Sequence, residues 1–343
     1  MSAMPETSEF VLASAFERLV SEQHPIVLVR DVVQADASLN PKLLQLWREL
    51  HDGGWLSLGT EAMRAEAMPE LARMGEASGR SLLSVPFAFT SLVLAPLVEA
   101  TPNLADEFLT EPLEAGPVSG RIDLDSSAGP LLFDYVGPRA GYYQLAKSGP
   151  AIVLRRYLAA SQPVDGLDAG VPVLAFAASD VRNAAERRLD AQAKDVVQLL
   201  HPFFVFQYGH LLGAAAAALD SAIAYAKERR QFGRAIGEFQ AVKHELANAW
   251  VALDNARYAI NALAQADGAQ ALQRLLGITD RLVAAGTKLA TRVTVQIHGA
   301  IGFAWEHDAH LYLKRVYKTS AQMTHIAGQL IAICLNEDSM NCK

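Results

Sequence analysis

The spacing of apolar positions changes twice along this 343-residue chain. In the first stretch, to about residue 111, it is helical. "PKLLQLWREL" puts Leu43, Leu46, Trp47 and Leu50 on one face, and Gly53-Gly54 then supplies a stop signal. A second helix is predicted from Glu61 to Met74. Between Pro112 and Gly170, proline and glycine punctuate almost every segment. The short runs "SGRIDL", "PLLFDYV", "GYYQLA", "AIVLRRYL" and "VPVLAFA" predict a small antiparallel sheet or barrel there. After Pro202 there is no proline. Four long segments of helical spacing follow: Phe203 to Gln231, Phe239 to Ala266, Ala269 to Ile297 and Leu311 to Leu335. An antiparallel four-helix bundle is the economical packing. The expected protein is mainly α with a small β domain, divided as 1–111 (N-terminal helical), 112–195 (middle β) and 196–343 (C-terminal bundle).

Two weakly charged apolar stretches are long enough to be weighed as membrane spans, Ser81 to Val98 and Val196 to Leu219. The first carries Pro86, Pro96 and several hydroxyls; the second includes His201, Pro202, Gln207 and His210. Both read as buried helices. "GAAAAALD" (Gly213 to Asp220) reads as a close helix–helix contact.

Composition narrows the function classes. The chain is 51% hydrophobic and 20% charged with a net charge of −7, which fits a soluble globular protein and argues against a non-specific nucleic-acid binder. Any phosphate site must therefore be local. The two cysteines, Cys334 and Cys342, support neither a disulfide framework nor a cysteine zinc site. "MSAMPETSEF" lacks a basic region leading into an apolar core, so no secretory signal is expected. A cytoplasmic location, without membrane or nucleic-acid partners, is the expectation.

Against that acidic background, "ERRQFGRAIGEFQ" (Glu228 to Gln240) concentrates Arg229, Arg230 and Arg234 around Gly233 and Gly237, with Phe232 among them. Guanidiniums there could hold a pyrophosphate or simply balance a helix dipole. A second segment, "QIHGAIGFAWEHDAHLYLKR" (Gln296 to Arg315), breaks two long helices at Gly299 and Gly302 and leaves backbone amides and the Gln296 amide available to a ligand.

Together the two segments resemble the acyl-CoA dehydrogenase family. Its "ER-x-x-FG" followed by "x-Q" is matched by Glu228, Arg229, Phe232, Gly233 and Gln240. Its "Q-x-x-GG-x-G-[YF]-x-x-E" is matched by Gln296, Gly299, Gly302, Phe303 and Glu306, with Ala300 in place of one glycine. The resemblance is strong from about Leu211 onward and weaker before, where "LWRELHDGGWLSL" is similar to an early helical segment. It implies an N-terminal helical domain, a middle β domain and a C-terminal four-helix bundle. By position, Arg229, Gln231 and Phe232, with Gln240 nearby, would contact the adenosine diphosphate part of an FAD whose ring lies in a neighbouring subunit. Gln296 and the Gly299-Ala300 backbone would close over the adenine side.

The same resemblance exposes an absence. The family removes an α proton from an acyl-CoA thioester with a carboxylate, usually in a Tyr-Glu-Gly-Thr-type stretch. Here "RVYKTSAQMTH" places Met323, or in another register Lys318, at that position. The alternative location on the first bundle helix falls near Phe203, and no acid lies between Val196 and Leu219. The family's Thr-Glu-Pro…Gly-Ser-Asp and Trp-x-Thr-Asn stretches are also missing between Ala115 and Ala178. Short, base-lacking members pair with full-length ones in bacterial steroid and long-chain acyl-CoA breakdown. The resemblance thus implies an α2β2 enzyme in which a related subunit supplies the base and the pocket, with an electron-transfer flavoprotein as acceptor.

Three other readings are set beside it. The chain could be a scaffold or regulatory subunit that no longer binds FAD, or a homomeric dehydrogenase using Glu306 or Asp308 as an atypical base. Asp308 otherwise reads as the N-cap of the last helix. The His307-x-x-His310 spacing has no further ligand cluster, so no metal is expected. No nucleophile motif, P-loop or dinucleotide fingerprint is present.

Overall fold

The computed structural model describes residues 10–34, 41–101, 103–104, 117–124, 131–134, 141–149, 151–157, 163–176, 185–189 and 193–341. The amino-terminal helices are α1 (Val11–Gln23), α2 (Ile26–Gln34), α3 (Pro41–Asp52), α4 (Glu61–Ala67) and α5 (Leu71–Arg80). Leu43, Leu46, Trp47 and Leu50 are the buried face of α3, as their spacing requires. The single helix expected from Glu61 to Met74 is two helices. Pro69 lies between them, and a proline ring inside a helix clashes with the preceding turn. Glu70 at that break accepts a 2.6 Å hydrogen bond from the backbone N–H of Ala13, tying the start of α1 to α5.

The first apolar stretch forms α6 (Phe87–Ala100), which widens into a π turn over Thr90–Leu94. The β layer holds β1 (Val118–Asp123), β2 (Leu131–Asp134), β3 (Gly141–Ser148), β4 (Ala151–Tyr157), β5 (Pro163–Val164), β6 (Val173–Phe176) and β7 (Ala185–Leu189). β1-β3-β4-β7 make one sheet and β2-β6-β5 another. The expected antiparallel sheet is corrected in one pairing: β1 runs parallel to β3. The intervening β2 joins the other sheet, so the chain crosses over and returns beside β1 in the same direction, which a hairpin cannot do. The five β-type runs read from the sequence are strands; β5 and β7 went unread.

The bundle comprises α7 (Ala193–Glu228), α8 (Gln240–Ala264), α9 (Ala269–His298) and α10 (Ala309–Asn341), with the two-stranded hairpin β8 (Arg230–Gln231) and β9 (Arg234–Ala235) after α7. α7 starts ten residues before the expected Phe203 because Pro202 does not end it. A proline there frees the carbonyl four residues back, and the Arg64 guanidinium donates to that carbonyl, Gln198, at 2.6 Å. Among the described residues one helix, Asp195–Glu228, is long and apolar enough to cross a membrane, but 89% of its most apolar window is buried inside the molecule. Its main neighbour is α5. The helices meet glycine on backbone: a Cβ at Gly75 or Gly79 would strike the Phe206 or His210 carbonyl, and one at Gly213 would strike that of Glu76. The close contact expected over Gly213 to Asp220 therefore involves glycines on both helices.

Candidate functional site

The arginine-rich segment is a tight hairpin. Arg230 pairs with Ala235 and Gln231 with Arg234, leaving Phe232 and Gly233 as the two turn residues with φ of 53° and 81°. Positive φ at both positions is the type I′ pattern, which favours Asn-Gly and is strained for phenylalanine. Phe232 is nevertheless held there and is 92% exposed, its ring 6.3 Å from that of Phe239. The Arg234 guanidinium lies 4.0 Å over the Phe239 ring. Arg229, Arg230, Gln231 and Gln240 are exposed, and neither Arg229 nor Arg230 has an acidic partner among the described residues. Unpaired guanidiniums on an acidic protein leave their forked donors open to phosphate.

The second segment stands beside the first. α9 ends at His298, and Gly299 turns the chain with φ of 65°. Tyr225, three residues before Glu228, stacks on His298 at 4.7 Å, and His298 in turn faces His307 at 4.2 Å. His298 Nδ1 hydrogen-bonds the Thr294 carbonyl at 2.8 Å, which fixes the ring. Gln296, Gly299 and Ala300 are exposed, and Phe303 is 70% exposed. The space around Gly233 and Gly299 is open to a ligand. All seven residues predicted for the adenosine diphosphate site are thus exposed on two segments that the Tyr225–His298 stack holds together. The Tyr225–His298 stack was not singled out, because its two rings are far apart in the sequence.

Exposed donors, open glycine backbones and an aromatic fit the pyrophosphate and adenine end of FAD. The other end finds no match. A cavity of about 330 Å³ opens between α6, β1, β2, α7 and α10, and both Met323 and Lys318 line it. Met323 is 1% exposed and carries no charge. Lys318 Nζ is ion-paired with Asp134 of β2 at 2.8 Å, although off the hydrogen-bonding direction, and Gln322 donates to the same carboxylate at 3.0 Å. Phe203 contributes an aromatic wall.

Behind this cavity the charges are buried and matched. Arg315 donates through Nε to Asp168, through Nη1 to the Leu83 carbonyl at 2.9 Å and through Nη2 to Ser84 Oγ at 3.5 Å. Burial alone would raise the Asp168 carboxyl, but the Arg315 charge and hydrogen bond prevail and hold it below its usual value. His24 and His210 lie in the same field. Burial first and Arg315 second push them down to about 4 and about 3, so both stay neutral.

Neither Glu306 nor Asp308 lines the cavity. Glu306 is exposed, and Asp308 accepts a 2.8 Å hydrogen bond from Arg30 Nε of α2. The N-cap expectation for Asp308 is corrected: it stands at the cap position, but Arg30 occupies its carboxylate, and His307 Nδ1 accepts from the Ala309 N–H at 3.1 Å instead. His310 packs edge-on against Trp305 at 5.1 Å while His307 faces His298, so the two histidines have separate neighbours.

A helical layer, a small mixed sheet and a four-helix bundle with this paired segment define the acyl-CoA dehydrogenase architecture. Comparison with known proteins agrees. Residues 207–329 match the family model of the acyl-CoA dehydrogenase C-terminal domain. The chain is 31% identical over 325 residues to acyl-CoA dehydrogenase IpdE2 of Mycobacterium tuberculosis, covering 93% of each. It is 29% identical over 266 residues to FadE34 of the same organism, 73% of this chain and 36% of that one. Among solved structures, a chain of the ChsE4-ChsE5 complex from Mycobacterium tuberculosis superposes with a TM-score of 0.66 at 19% identity, over 98% of this chain and 99% of that one. A chain of a variant of the Tcur3481-Tcur3483 steroid ACAD (acyl-CoA dehydrogenase) superposes at 0.68 and 18%, over 97% and 98%. This chain belongs to the acyl-CoA dehydrogenase family, oxidoreductases that act on acyl-CoA thioesters.

Proposed function

We propose that the chain is one subunit of a heteromeric, flavin-dependent acyl-CoA dehydrogenase. It offers Arg229, Gln231, Phe232, Gln240, Gln296 and the Gly299-Ala300 backbone to an FAD whose ring a related subunit holds. Bound flavin would supply a hydride acceptor for oxidation of the acyl α,β bond to the trans-2-enoyl-CoA. This chain's arginines would neutralise phosphate charge, and its exposed aromatic would cover the adenine end. The carboxylate that takes the α proton belongs to the partner. The observation that carries the reading is the contrast between an exposed, unpaired phosphate-type surface and a cavity whose base position is the buried thioether of Met323.

The neighbours' names support the partner and the substrate class: ChsE4-ChsE5 is a complex, and Tcur3481-Tcur3483 is a steroid ACAD. A related full-length subunit in an α2β2 assembly, a steroid side-chain or fatty acyl thioester, an electron-transfer flavoprotein as acceptor and a cytoplasmic setting complete the proposal.

The test is co-purification with the product of an adjacent dehydrogenase-like gene, followed by flavin spectra of each chain alone and of the mixture. About one FAD per heterodimer, and little on this chain alone, is expected. Equal flavin binding by this chain alone would overturn the shared site. A scaffold would leave the partner's flavin content unchanged when Arg229 is removed.

A further inference from the structure

The stack behind the hairpin has a third ring that the flavin reading does not use. Tyr225 and His307 both face His298, at 4.7 and 4.2 Å between ring centroids. The three rings come from three elements that carry or adjoin the proposed flavin face. Tyr225, near the end of α7, accepts the Arg229 N–H at 2.8 Å through its carbonyl and so sets where the hairpin leaves the helix. His298 ends α9 and is 5% exposed. A Cβ at Gly302 would lie 3.1 Å from the His298 Cβ, so the Gly299–Phe303 turn packs directly on this residue. His307 is half-buried and stands two residues before α10.

Hydrogen bonding fixes the tautomer of both imidazoles. The Thr294 carbonyl can only accept, so His298 Nδ1 carries a proton and donates it at 2.8 Å. The Ala309 N–H can only donate, so His307 Nδ1 is bare and accepts it at 3.1 Å. Ala309 is the first residue of α10, and an N–H at that position has no partner within its own helix. Protonation of His307 would replace this acceptor with a second donor aimed at Ala309, and would set a cation at the positive end of the helix dipole. The other titratable groups around the ring are His298 of α9, His310 of α10, and Arg30 of α2, which is ion-paired with Asp308 at 2.6 Å. Burial first, then His298 and Arg30, hold His307 below its usual value, and Asp308 opposes them.

We infer that His307 is a positioning residue for the flavin face: with Nδ1 bare it pins the start of α10, keeps its ring against His298, and so holds the Gly299–Phe303 turn and the Arg229 hairpin in one register. The inference rests on the reading of those two segments as a flavin site. It adds that the site is acid-sensitive. The anchor is complete while His307 is neutral and is lost as the pH falls through its lowered value, which loosens the chain from Gly299 to His307 and weakens the hold on phosphate and adenine.

Flavin affinity of the assembled heteromer is measured from pH 7.5 to 5.5 for the wild type, His307→Asn, His307→Phe and Arg229→Ala. Asparagine supplies an acceptor that reaches the N–H two residues on, as in an Asx turn, and does not titrate; phenylalanine keeps a ring and removes the acceptor. Wild-type affinity should fall roughly fivefold over this range. His307→Asn should start within about threefold of the wild type and stay flat, while His307→Phe should be about tenfold weaker at pH 7.5 and also flat. His24 and His210 are common to all four proteins, so their titration does not separate the curves. Amide exchange of residues 299–309 in this chain alone reads the anchor without flavin, and at pH 5.5 it should be faster in the wild type than in His307→Asn. A flat wild-type curve, an equally steep curve for His307→Asn, equal affinities of the two His307 variants, or equal exchange would overturn the inference while leaving the shared site intact if Arg229→Ala still loses flavin. Flavin binding indifferent to Arg229→Ala would instead overturn the shared site on which the inference rests.

Discussion

The hairpin face and the Arg315 node use the same side-chain chemistry in opposite ways. At Glu228 to Gln240 Arg229 and Arg230 are exposed and have no ion-pair partner among the described residues, and Phe232 is strained and exposed. At Arg315 the guanidinium is 3% exposed and donates to Asp168, the Leu83 carbonyl and Ser84. An unpaired surface cation contributes little to folding and is available to a partner. A buried, paired one is costly to unpair and is withheld from a partner. The molecule thus separates a face that is costly to keep but useful to others from an interior that holds itself together.

The largest effect should come from the interior. Arg315→Met leaves Asp168 buried without its counter-charge, and about 3–5 kcal/mol of stability should be lost in denaturant unfolding. The double variant Arg315→Met with Asp168→Leu should recover most of it, because a well-packed apolar pair needs no compensation. A single variant as stable as the parent would show that the node is solvated, and the contrast with the hairpin would fail.

Acid should act on the same interior next. His24 and His210 titrate near 6.5 when unfolded but only at about 4 and about 3 when folded, so below pH 6.5 the unfolded chain binds more protons. Their contribution is complete above pH 6.5 and is lost as the pH falls from there toward 4. Each should remove about 2 kcal/mol at pH 5. Unfolding midpoints measured from pH 7.5 to 5 test this, and His24→Gln should flatten the slope. A midpoint independent of pH over that range would mean that these rings reach solvent.

Much of this division was legible beforehand, and what was not has identifiable causes. The helical spacing of Leu43, Leu46, Trp47 and Leu50 and the proline-free carboxy-terminal segments gave the helical layer and the bundle, because burial on one helical face leaves its period in the sequence. The exposure of the two segments proposed for FAD was foreshadowed too, since each is short, polar and glycine-bearing. The interior node was not. Arg315 and Asp168 are 147 residues apart, and Ser78 and His210 are 132 apart, so no local spacing announces either pair. Pro202 misled for a related reason: Arg64, which satisfies the carbonyl it frees, is 134 residues away from that carbonyl. The parallel pairing of β1 with β3 depends on where β2 goes, which the strand pattern alone does not encode.

On the outer face, Arg229→Ala should leave the unfolding midpoint within about 1 °C of the parent, as for other exposed side chains without partners. Flavin affinity of the assembled heteromer should nevertheless fall roughly 10- to 100-fold, the effect of removing one charge-assisted bond to phosphate. Flavin titration of the purified complex reads this directly. A variant that lost stability instead of flavin would place Arg229 with the interior class.

The smallest effect should have the opposite sign. Phe232 and Gly233 fill the two positive-φ positions of the β8–β9 turn, where Asn-Gly is preferred and an aromatic side chain is strained. With its ring 92% exposed, Phe232 buries too little surface in this chain to offset that strain. Phe232→Asn should therefore stabilise the isolated chain, by about 0.5 kcal/mol, because asparagine tolerates the left-handed region without glycine's added freedom in the unfolded state. If the ring is kept for a partner or for the adenine of FAD, the same substitution should weaken flavin retention in the heteromer while raising the midpoint of the chain alone. Gains in both would mean that the aromatic serves neither, and a loss of stability in the isolated chain would mean that its edge contact with Phe239 outweighs the strain. Only the combination of a firmer fold and a weaker assembly is what a residue held in a poor conformation for the sake of another molecule should show.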